Sequence, residues 1–436
     1  MKIIFFDGVR EIGGNKIIIE ENGTAILLDF GKRFSINNTY FNDSFIERNW
    51  KGIHDRITTK ELPPLRNFYK EWPISSKNLI DIDIKAVFFS HAHLDHIGLI
   101  DLIDDSLEKY MSNYSKEVLS FFGKKGIIKN NVSNIKIMDK PVKVGPFTVH
   151  PIPIDHDIPG ALAFQIETSK GNIFYTGDIY FHGRKNKKSW NFVKYAKNNN
   201  PYILITEGTR FGWRFVTSLT EEQLKKQAIS VLDQCNGILF ANPYEPHIDR
   251  IRTFFEIANE KNKKFVITLP YAFMLNRYSG IGDTFAKDIL SSPNTLIYKS
   301  EGMPNTWENE TIGTFADAAY VCKDQKNIVM LLDFMSTPEL IDIKPEKGAL
   351  YIHSGGEPLS NIDTENAKIL QNWLKMFNIP YFNIHSPGHA SQPDLLHMAR
   401  EINPEILLPI HTQIPERFEI VSDNVKILEK GVIYNF

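Results

Sequence analysis

Short apolar runs separated by turn residues fill the first third of the chain. Segments 2–8, 15–23 and 24–31 are rich in isoleucine, leucine and phenylalanine, and each closes on glycine. The pattern predicts three adjacent strands, because β-branched and aromatic residues favour strands and glycine favours the turns between them. The chain therefore begins with a sheet and not with a helical bundle.

The run at 84–90 is apolar except for Lys85 and Ser90, and it predicts a strand buried on both faces. The next segment, 98–111, has apolar residues at helical spacing, and we expect a helix there. Further strands are predicted at 142–154, 161–168, 172–178 and 202–208. This order of elements predicts an α/β fold class.

A change of pattern near residue 209 divides the chain. From 209 to 375 helical and strand-like segments alternate, and Thr220 with Gln223 forms a capping box at the first of these helices. Segment 376–436 returns to strand, loop, helix and strand. We predict a first domain formed by 1–208 and 376–436, with 209–375 inserted as a second α/β lobe.

Length and composition limit the function classes. At 436 residues the chain is long enough for two joined lobes, and its 42% hydrophobic and 23% charged residues are typical of a globular protein. No apolar run is long enough to cross a bilayer, and the first residues lack the apolar core of a secretion signal. We therefore expect a cytoplasmic protein without membrane contact.

Charge and cysteine usage exclude two further classes. Lys and Arg total 50 against 52 Asp and Glu, which argues against broad attraction to nucleic acid and leaves only local contacts. The two cysteines, Cys235 and Cys322, lie in unrelated contexts. They support neither a disulfide framework nor a cysteine metal site.

The strongest chemical signal is segment 91–96, which places three histidines and one aspartate within six positions. In an extended loop His91 and His93 point to the same side, so both imidazoles can bind one ion. Asp95 and His96 lie where the chain turns toward a helix and can bind a second ion. Two ions need about three or four protein ligands each, so further ligands are expected elsewhere in the chain.

Three further candidates each follow a strand-like run: His156, Asp178 and His411. Asp178 can bridge two ions, because a carboxylate has two oxygens whereas an imidazole nitrogen serves one ion. Five imidazoles and two carboxylates favour zinc, with manganese as the alternative, whereas magnesium prefers oxygen-rich sites. The predicted cofactor is a pair of divalent metal ions, zinc first and manganese second.

The order of these residues resembles the metallo-β-lactamase fold. Asp29 after a strand, then the histidine cluster, His156, Asp178 and the late His411 match its motifs in order. The resemblance implies a four-layer αββα sandwich with the second lobe inserted. It also implies a ligand assignment: a first ion held by His91, His93 and His156, a second held by Asp95, His96 and His411, Asp178 joining both, and Asp29 orienting a ligand or its loop.

Residues beyond the ligand set resemble the β-CASP nucleases of that fold, and most closely the ribonuclease J group. Glu207 and His389, together with His411, match three additional motifs of the β-CASP nucleases. Segments 11–13, 354–358 and 385–394 also resemble ribonuclease J, and the resemblance covers nearly the whole chain. Only residues 412–436 follow His411, so we expect the C-terminal domain typical of bacterial ribonuclease J to be missing.

The resemblance implies a metal-dependent ribonuclease that hydrolyses RNA phosphodiester bonds, as a 5′-to-3′ exonuclease, an endonuclease or both, in RNA processing or decay. Histidine at position 411 is typical of the RNA-directed branch, whereas the DNA-repair branch carries valine. Two departures concern the subgroup: Glu207 stands where ribonuclease J usually has aspartate, and Gln413 where it usually has glutamate. The implied partner is single-stranded RNA in a cleft between the lobes, and a homodimer or an RNA-decay complex remains open.

The predicted catalytic residues are Asp95, Glu207 and His389. By resemblance, His389 donates a proton to the leaving ribose oxygen and Glu207 holds its imidazole. Phosphate contacts are predicted for two loops rich in small and polar residues, namely Ser354, Gly355, Gly356, His385, Ser386 and Gly388. Such a pocket would hold either a 5′-monophosphate or an internal phosphate.

Three other functions remain open. A small-molecule hydrolase of the same fold, acting on an ester or thioester, needs the metal ligands but not the pair of Glu207 and His389. A DNA nuclease is the second alternative. A noncatalytic RNA-binding subunit is expected to have lost metal ligands, and none is missing here.

Overall fold

The computed structural model covers most of the chain. It describes residues 1–34, 39–41, 45–46, 48, 50–70, 79–129, 132–213, 218–302, 307, 310–356 and 361–436, except for the side chains of 361–363. Within the ribonuclease J-like segment 354–358, Glu357 and Pro358 lie outside the described residues.

Twenty strands are found among the described residues. They are β1 (Lys2–Asp7), β2 (Lys16–Glu21), β3 (Thr24–Leu28), β4 (Ile84–Phe88), β5 (Glu108–Met111), β6 (Ile135–Ile137), β7 (Val142–Val144), β8 (Phe147–Pro153), β9 (Leu162–Thr168), β10 (Gly171–Tyr175), β11 (Pro201–Glu207), β12 (Leu239–Pro243), β13 (Lys264–Thr268), β14 (Thr295–Tyr298), β15 (Phe315–Ala316), β16 (Ile328–Leu331), β17 (Leu350–Ser354), β18 (Tyr381–Asn383), β19 (Ile406–Ile410) and β20 (Ile433–Asn435).

Twelve α-helices lie in the same described ranges. They are α1 (Gly52–Thr58), α2 (Leu94–Ile97), α3 (Asn113–Lys124), α4 (Lys187–Asn198), α5 (Glu221–Leu232), α6 (Ile248–Glu260), α7 (Leu269–Gly280), α8 (Thr284–Ser291), α9 (Ala318–Lys323), α10 (Leu340–Ile343), α11 (Asn361–Met376) and α12 (Gln392–Ile402). None of these helices combines the length and the apolar character that a bilayer crossing requires.

The chain forms two compact units. The first contains residues 1–181, 185–215 and 389–436, and the second contains 182–184 and 216–388. The domain bounds drawn from the sequence, 1–208, 209–375 and 376–436, stay a prediction.

Two sheets build the first unit. Their strand orders are β20-β1-β2-β3-β4-β5-β6 and β19-β11-β10-β9-β8-β7. Phe88 of the first sheet and Phe164 of the second belong to one apolar core, with ring centroids 6.1 Å apart. A second apolar cluster, which includes Phe192 of α4 and Met398 of α12, covers the other face of the second sheet. The predicted metallo-β-lactamase sandwich is confirmed.

The second unit contains a seven-stranded sheet in the order β15-β14-β13-β16-β12-β17-β18. Every neighbouring pair in it is parallel. The alternation of helices and strands that the pattern after residue 209 predicts is found in this unit. The capping box is also confirmed: Thr220 accepts a hydrogen bond from the Gln223 backbone, and the Gln223 side chain accepts one from the Thr220 backbone.

The helix predicted at 98–111 is wrong. The chain instead forms a 3₁₀ turn at Ile100–Leu102 and then β5, which pairs parallel with β4. The backbone N–H of Ser106 donates to the Asp104 carboxylate over 2.9 Å, a local turn that competes with helix formation. Beyond that turn, residues 108–111 alternate between half-buried and buried positions, the two-residue period of a strand.

Gly31 permits a close approach between two loops of the first unit. The backbone N–H of Phe30 donates to the His96 carbonyl and that of Lys32 to the Leu94 carbonyl, over 2.7 and 2.8 Å. A Cβ atom at position 31 would lie 1.6 Å from the Asp95 carbonyl oxygen. Only glycine therefore allows the strand-end loop after β3 to hold the loop that carries Asp95 and His96.

We expect Gly31→Ala to lower the free energy of unfolding by at least about 1–3 kcal/mol, because the added methyl group must displace a buried backbone. Urea unfolding measures the change. The matched control is Gly280→Ala at the end of α7, where an added Cβ has no heavy atom within 4 Å. Equal stability of the two variants would contradict the close approach.

Candidate metal centre

The strand topology explains why residues distant in sequence meet. Glu207 is the last residue of β11, Asp178 follows β10, and His411 follows β19 directly. Strand β11 runs parallel to both β10 and β19, so the carboxyl ends of all three strands lie at one edge of the sheet. Polar side chains at that edge are brought together without disturbing the apolar interior.

The first cluster of candidate ligands contains His91, His93, His156 and Asp178. Nδ1 of His93 lies 3.1 Å from Nε2 of both His91 and His156. Nε2 of His91 lies 3.6 Å from Oδ2 of Asp178. Three imidazole nitrogens and a carboxylate oxygen thus face one small volume, as they do in a four-ligand metal site.

The second cluster contains Asp95, His96, Asp178 and His411. Oδ2 of Asp178 lies 3.1 Å from Nε2 of His96 and 3.7 Å from Nε2 of His411. Nε2 of His411 also lies 2.9 Å from Oδ2 of Asp95. Asp178 belongs to both clusters, the place that the sequence predicts for a bridging carboxylate.

A third group joins Glu207 and His389 to Asp178 and His411. Nδ1 of His389 lies 2.9 Å from Oε2 of Glu207. The other Glu207 oxygen, Oε1, accepts a hydrogen bond from the Ile179 backbone N–H over 2.8 Å. The predicted pair is therefore in contact, and its carboxylate is fixed at both oxygens.

Burial and neighbouring charges set the protonation of the cluster. Burial lowers the pKa of His91 well below its usual range and that of His156 to about 4. For His96 burial acts to lower the pKa, but the Asp178, Asp95 and Asp29 carboxylates outweigh it and raise the pKa. For His389 burial again acts to lower the pKa, and Glu207 with Asp178 raises it to about 10.

The buried atoms of the cluster fit divalent ions. Both carboxylate oxygens of Asp178 and Nε2 of His96 are buried and have no hydrogen-bond partner among the described residues. Asp178 is 1% exposed and His96 is fully buried. Burial of such polar atoms without hydrogen bonds is costly, and a bound cation removes that cost. The first unit therefore holds buried His and Asp clusters able to bind metal ions.

Asp29, predicted to act from outside the ligand set, lies behind both clusters. Oδ1 accepts from the Ser90 backbone N–H over 2.7 Å, and Oδ2 lies 2.8 Å from Nδ1 of His96. Ser90 Oγ donates to the same carboxylate and lies 3.0 Å from Nδ1 of His91. Asp29 therefore contacts one histidine directly and another through a hydroxyl group.

Two residues of the site were missed by sequence reasoning. Thr209 Oγ1 lies 2.7 Å from both Oε2 of Glu207 and Nδ1 of His411. Oδ1 of Asp157 lies 3.2 Å from Nε2 of His93 and 3.4 Å from Nε2 of His156. The available signal was adjacency, since Asp157 follows His156 directly and Thr209 follows Glu207 by two positions.

The two loops with predicted phosphate contacts meet within the second unit. Ser354 Oγ donates to the Ile384 carbonyl over 2.8 Å, and Ser386 Oγ donates to the Leu219 carbonyl over 2.7 Å. Both hydroxyl protons are thus used within the fold, and Ser354 is fully buried. Gly356 is exposed, and an added Cβ there would meet no atom within 4 Å.

The sequence of this chain is similar to those of several known proteins. A β-lactamase superfamily domain model matches residues 67–190. Ribonuclease J of Pyrococcus abyssi is 23% identical, over 94% of this chain and 89% of that protein. Ribonuclease J of Methanocaldococcus jannaschii is also 23% identical, over 99% and 94%. Ribonuclease J of Helicobacter pylori J99 is 23% identical over 94% of this chain, which spans 56% of that longer protein.

A solved structure shares the fold. It is a crystal structure of a protein of unknown function from Enterococcus faecalis V583, with a TM-score of 0.80, 24% sequence identity and 99% of each chain covered. The match covers residues of both units of this chain.

Because Asp178 belongs to every candidate group and His93 to one, their replacement should differ in effect. We expect Asp178→Ala to lower the amount of zinc bound at saturation by more than His93→Ala does. Inductively coupled plasma mass spectrometry after dialysis measures both. Equal losses, or a larger loss in His93→Ala, would contradict a shared carboxylate.

Proposed function

We propose that this chain, a ribonuclease J-like protein of the metallo-β-lactamase fold, is a metal-dependent ribonuclease that hydrolyses phosphodiester bonds in single-stranded RNA. The observation that carries the proposal is the convergence of two histidine-rich clusters on the buried Asp178 carboxylate. Relatives named ribonuclease J match nearly the whole chain and support RNA as the substrate.

Two ions are assigned to the two clusters. His91, His93 and His156 would hold the first, Asp95, His96 and His411 the second, and Asp178 would join them. Zinc suits the imidazole-rich donor set, with manganese as the alternative. Bound divalent ions supply Lewis-acid chemistry, since they neutralise charge on phosphate oxygens and make water a stronger acid.

The protein side chains supply proton transfer and orientation. Glu207 accepts the Nδ1–H of His389, so that the ring is fixed and Nε2 is the nitrogen that can donate a proton to the leaving ribose oxygen. Thr209 and the Ile179 backbone hold Glu207 in turn. Oδ2 of Asp95 lies 2.9 Å from Nε2 of His411, which places both atoms where they could hold the second ion together.

Phosphate binding is assigned to the two loops of the second unit. Because the hydroxyl protons of Ser354 and Ser386 serve the fold, we assign phosphate contacts to the His385 imidazole and to backbone N–H groups around Gly355, Gly356 and Gly388. Glycine leaves such backbone groups accessible to a phosphate oxygen.

The proposal is tested with purified protein on labelled RNA carrying a 5′-monophosphate or a 5′-triphosphate and on circular RNA, each with and without chelator. We expect RNA cleavage that the chelator abolishes and that zinc or manganese restores. Cleavage of the circular RNA identifies endonuclease action, and preference for the 5′-monophosphate identifies 5′-to-3′ exonuclease action. Single-stranded DNA and small thioesters are the competing substrates, and faster turnover of either would overturn the assignment.

We expect His389→Ala to lower the rate of RNA hydrolysis by about 10²–10⁴-fold, because a general acid is lost, while metal content is unchanged. The rate on bis(4-nitrophenyl) phosphate should fall much less, since nitrophenolate leaves without a proton. Single-turnover rates on both substrates measure the difference.

His397→Ala is the matched control for that variant, because His397 is exposed and its ring contacts Trp190 instead of the cluster. It should keep the rate of RNA hydrolysis. Loss of metal from His389→Ala, or equal losses of rate on the two substrates, would assign His389 a role other than proton donor.

A further inference from the structure

The Asp29 carboxylate accepts hydrogen bonds from four groups. Besides the Ser90 backbone, the Ser90 hydroxyl and His96, it accepts a hydrogen bond from the Tyr175 hydroxyl, whose oxygen lies 2.5 Å from Oδ2. Asp29 and Tyr175 are both fully buried. Four donors on one buried carboxylate fix its plane and exclude water.

The orientation of Asp29 decides which nitrogen of His96 faces the second cluster. Nδ1 of His96 lies 2.8 Å from Oδ2 of Asp29, on the side away from the cluster. Nε2 lies 3.1 Å from Oδ2 of Asp178 and has no hydrogen-bond partner among the described residues. A carboxylate that accepts the Nδ1–H leaves the Nε2 lone pair for a cation.

Tyr175 is held at both ends. Its ring lies in the core between the two sheets of the first unit, at the end of β10 and three positions before Asp178. Its hydroxyl oxygen accepts from Nδ2 of Asn15 over 3.3 Å, and the Asn15 backbone N–H donates to the Asp95 carbonyl over 3.1 Å. The hydroxyl is thus fixed relative to Asp29, and Asn15 relates it to the loop that carries the second cluster.

We propose that Tyr175 is a positioning residue for the second metal position, acting through Asp29 to hold His96 with Nε2 directed at the ion. The inference rests on the metal-binding part of the proposed function and adds a residue outside the ligand set. Tyr175 touches neither substrate nor the reacting atoms in this role. Its effect is on the affinity of one ion and on the tautomer of one imidazole.

The test compares Tyr175→Phe with Tyr278→Phe. Each removes one buried hydroxyl from a fully buried ring, and the Tyr278 hydroxyl donates to the Pro246 carbonyl over 2.9 Å within the second unit. Zinc affinity is measured by competition with a chromophoric chelator. His96→Ala identifies the zinc site concerned, because it should abolish binding there. We expect Tyr175→Phe to lower the zinc affinity of that site by about tenfold, within the 10–100-fold range typical of residues that hold a metal ligand in place. Tyr278→Phe should leave the affinity unchanged.

A spectroscopic readout separates positioning from general destabilisation. In ¹⁵N-histidine-labelled, zinc-loaded protein, the His96 nitrogens report which one carries the proton, and Tyr175→Phe should broaden or shift the Nδ1–H signal. In an Asp29→Asn background, Tyr175→Phe should add little further loss, because the two act in one chain. Wild-type zinc affinity in Tyr175→Phe, or full additivity with Asp29→Asn, would overturn the proposal.

Neither measurement requires RNA. Failure of the protein to cleave RNA would remove the proposed ribonuclease activity without affecting the inference on Tyr175. Unchanged zinc binding in Tyr175→Phe would remove that inference while RNA cleavage stands.

Discussion

The Asp178 carboxylate is the constraint on which the rest of the site depends. It is 1% exposed, and its Oδ2 atom lies 3.6, 3.1, 3.8 and 3.7 Å from ring nitrogens of His91, His96, His389 and His411. Without a cation, the site must either protonate several crowded imidazoles, which repel each other, or leave a buried anion without hydrogen bonds. A bound divalent cation beside the carboxylate would remove both costs.

The strand topology brings these groups together because they lie at or just after the carboxyl ends of parallel strands. Parallel neighbours β10, β11 and β19 bring Asp178, Glu207 and His411 to one sheet edge, although they are spread over half of the chain. Backbone conformation assists the arrangement. Asp29 and His411 adopt φ angles of 56° and 50°, which non-glycine residues rarely adopt and which the surrounding contacts must maintain.

The sequence predicts the part of the site that is compact along the chain. Segment 91–96 is recognisable because ligands two positions apart share a face, and the order of motifs then singles out His156 and His411 from the other histidines. Adjacency to a predicted residue was the only sequence signal for Thr209 and Asp157, and it does not reveal which atoms they contact; Tyr175 had no such signal. Their roles depend on which atoms meet after folding, and a lone threonine, aspartate or tyrosine beside a strand carries no spacing signal.

The same limit explains the wrong helix prediction at 98–111 and the contacts of Ser354 that the sequence does not reveal. The apolar spacing at 98–111 fits a helix. However, the Ser106 backbone N–H donates to the Asp104 carboxylate, which favours a turn there, and the residues after that turn form a strand that pairs with β4. Ser354 lies in a loop motif suited to phosphate, yet Arg250 Nη1 donates to its hydroxyl oxygen over 2.9 Å. A sequence motif that contains Ser354 but not Arg250 does not reveal that the two side chains are in contact.

The candidate metal ligands and the proposed proton donor share one feature: a buried acceptor contacts one ring nitrogen and so selects the tautomer of the imidazole. Asp29 does this for His96, and Glu207 does it for His389. For His411 the acceptor is Thr209, whose single hydroxyl proton goes to Glu207, so the same oxygen is available to accept the Nδ1–H of His411.

Glu207 therefore governs two histidines at once, one directly and one through a threonine. Under the proposed function, removal of its charge would disturb the proposed second metal position as well as the proposed proton donor. Under the proposed function, metal binding and leaving-group protonation would therefore be coupled through Glu207, and a change in one is interpreted together with a measurement of the other.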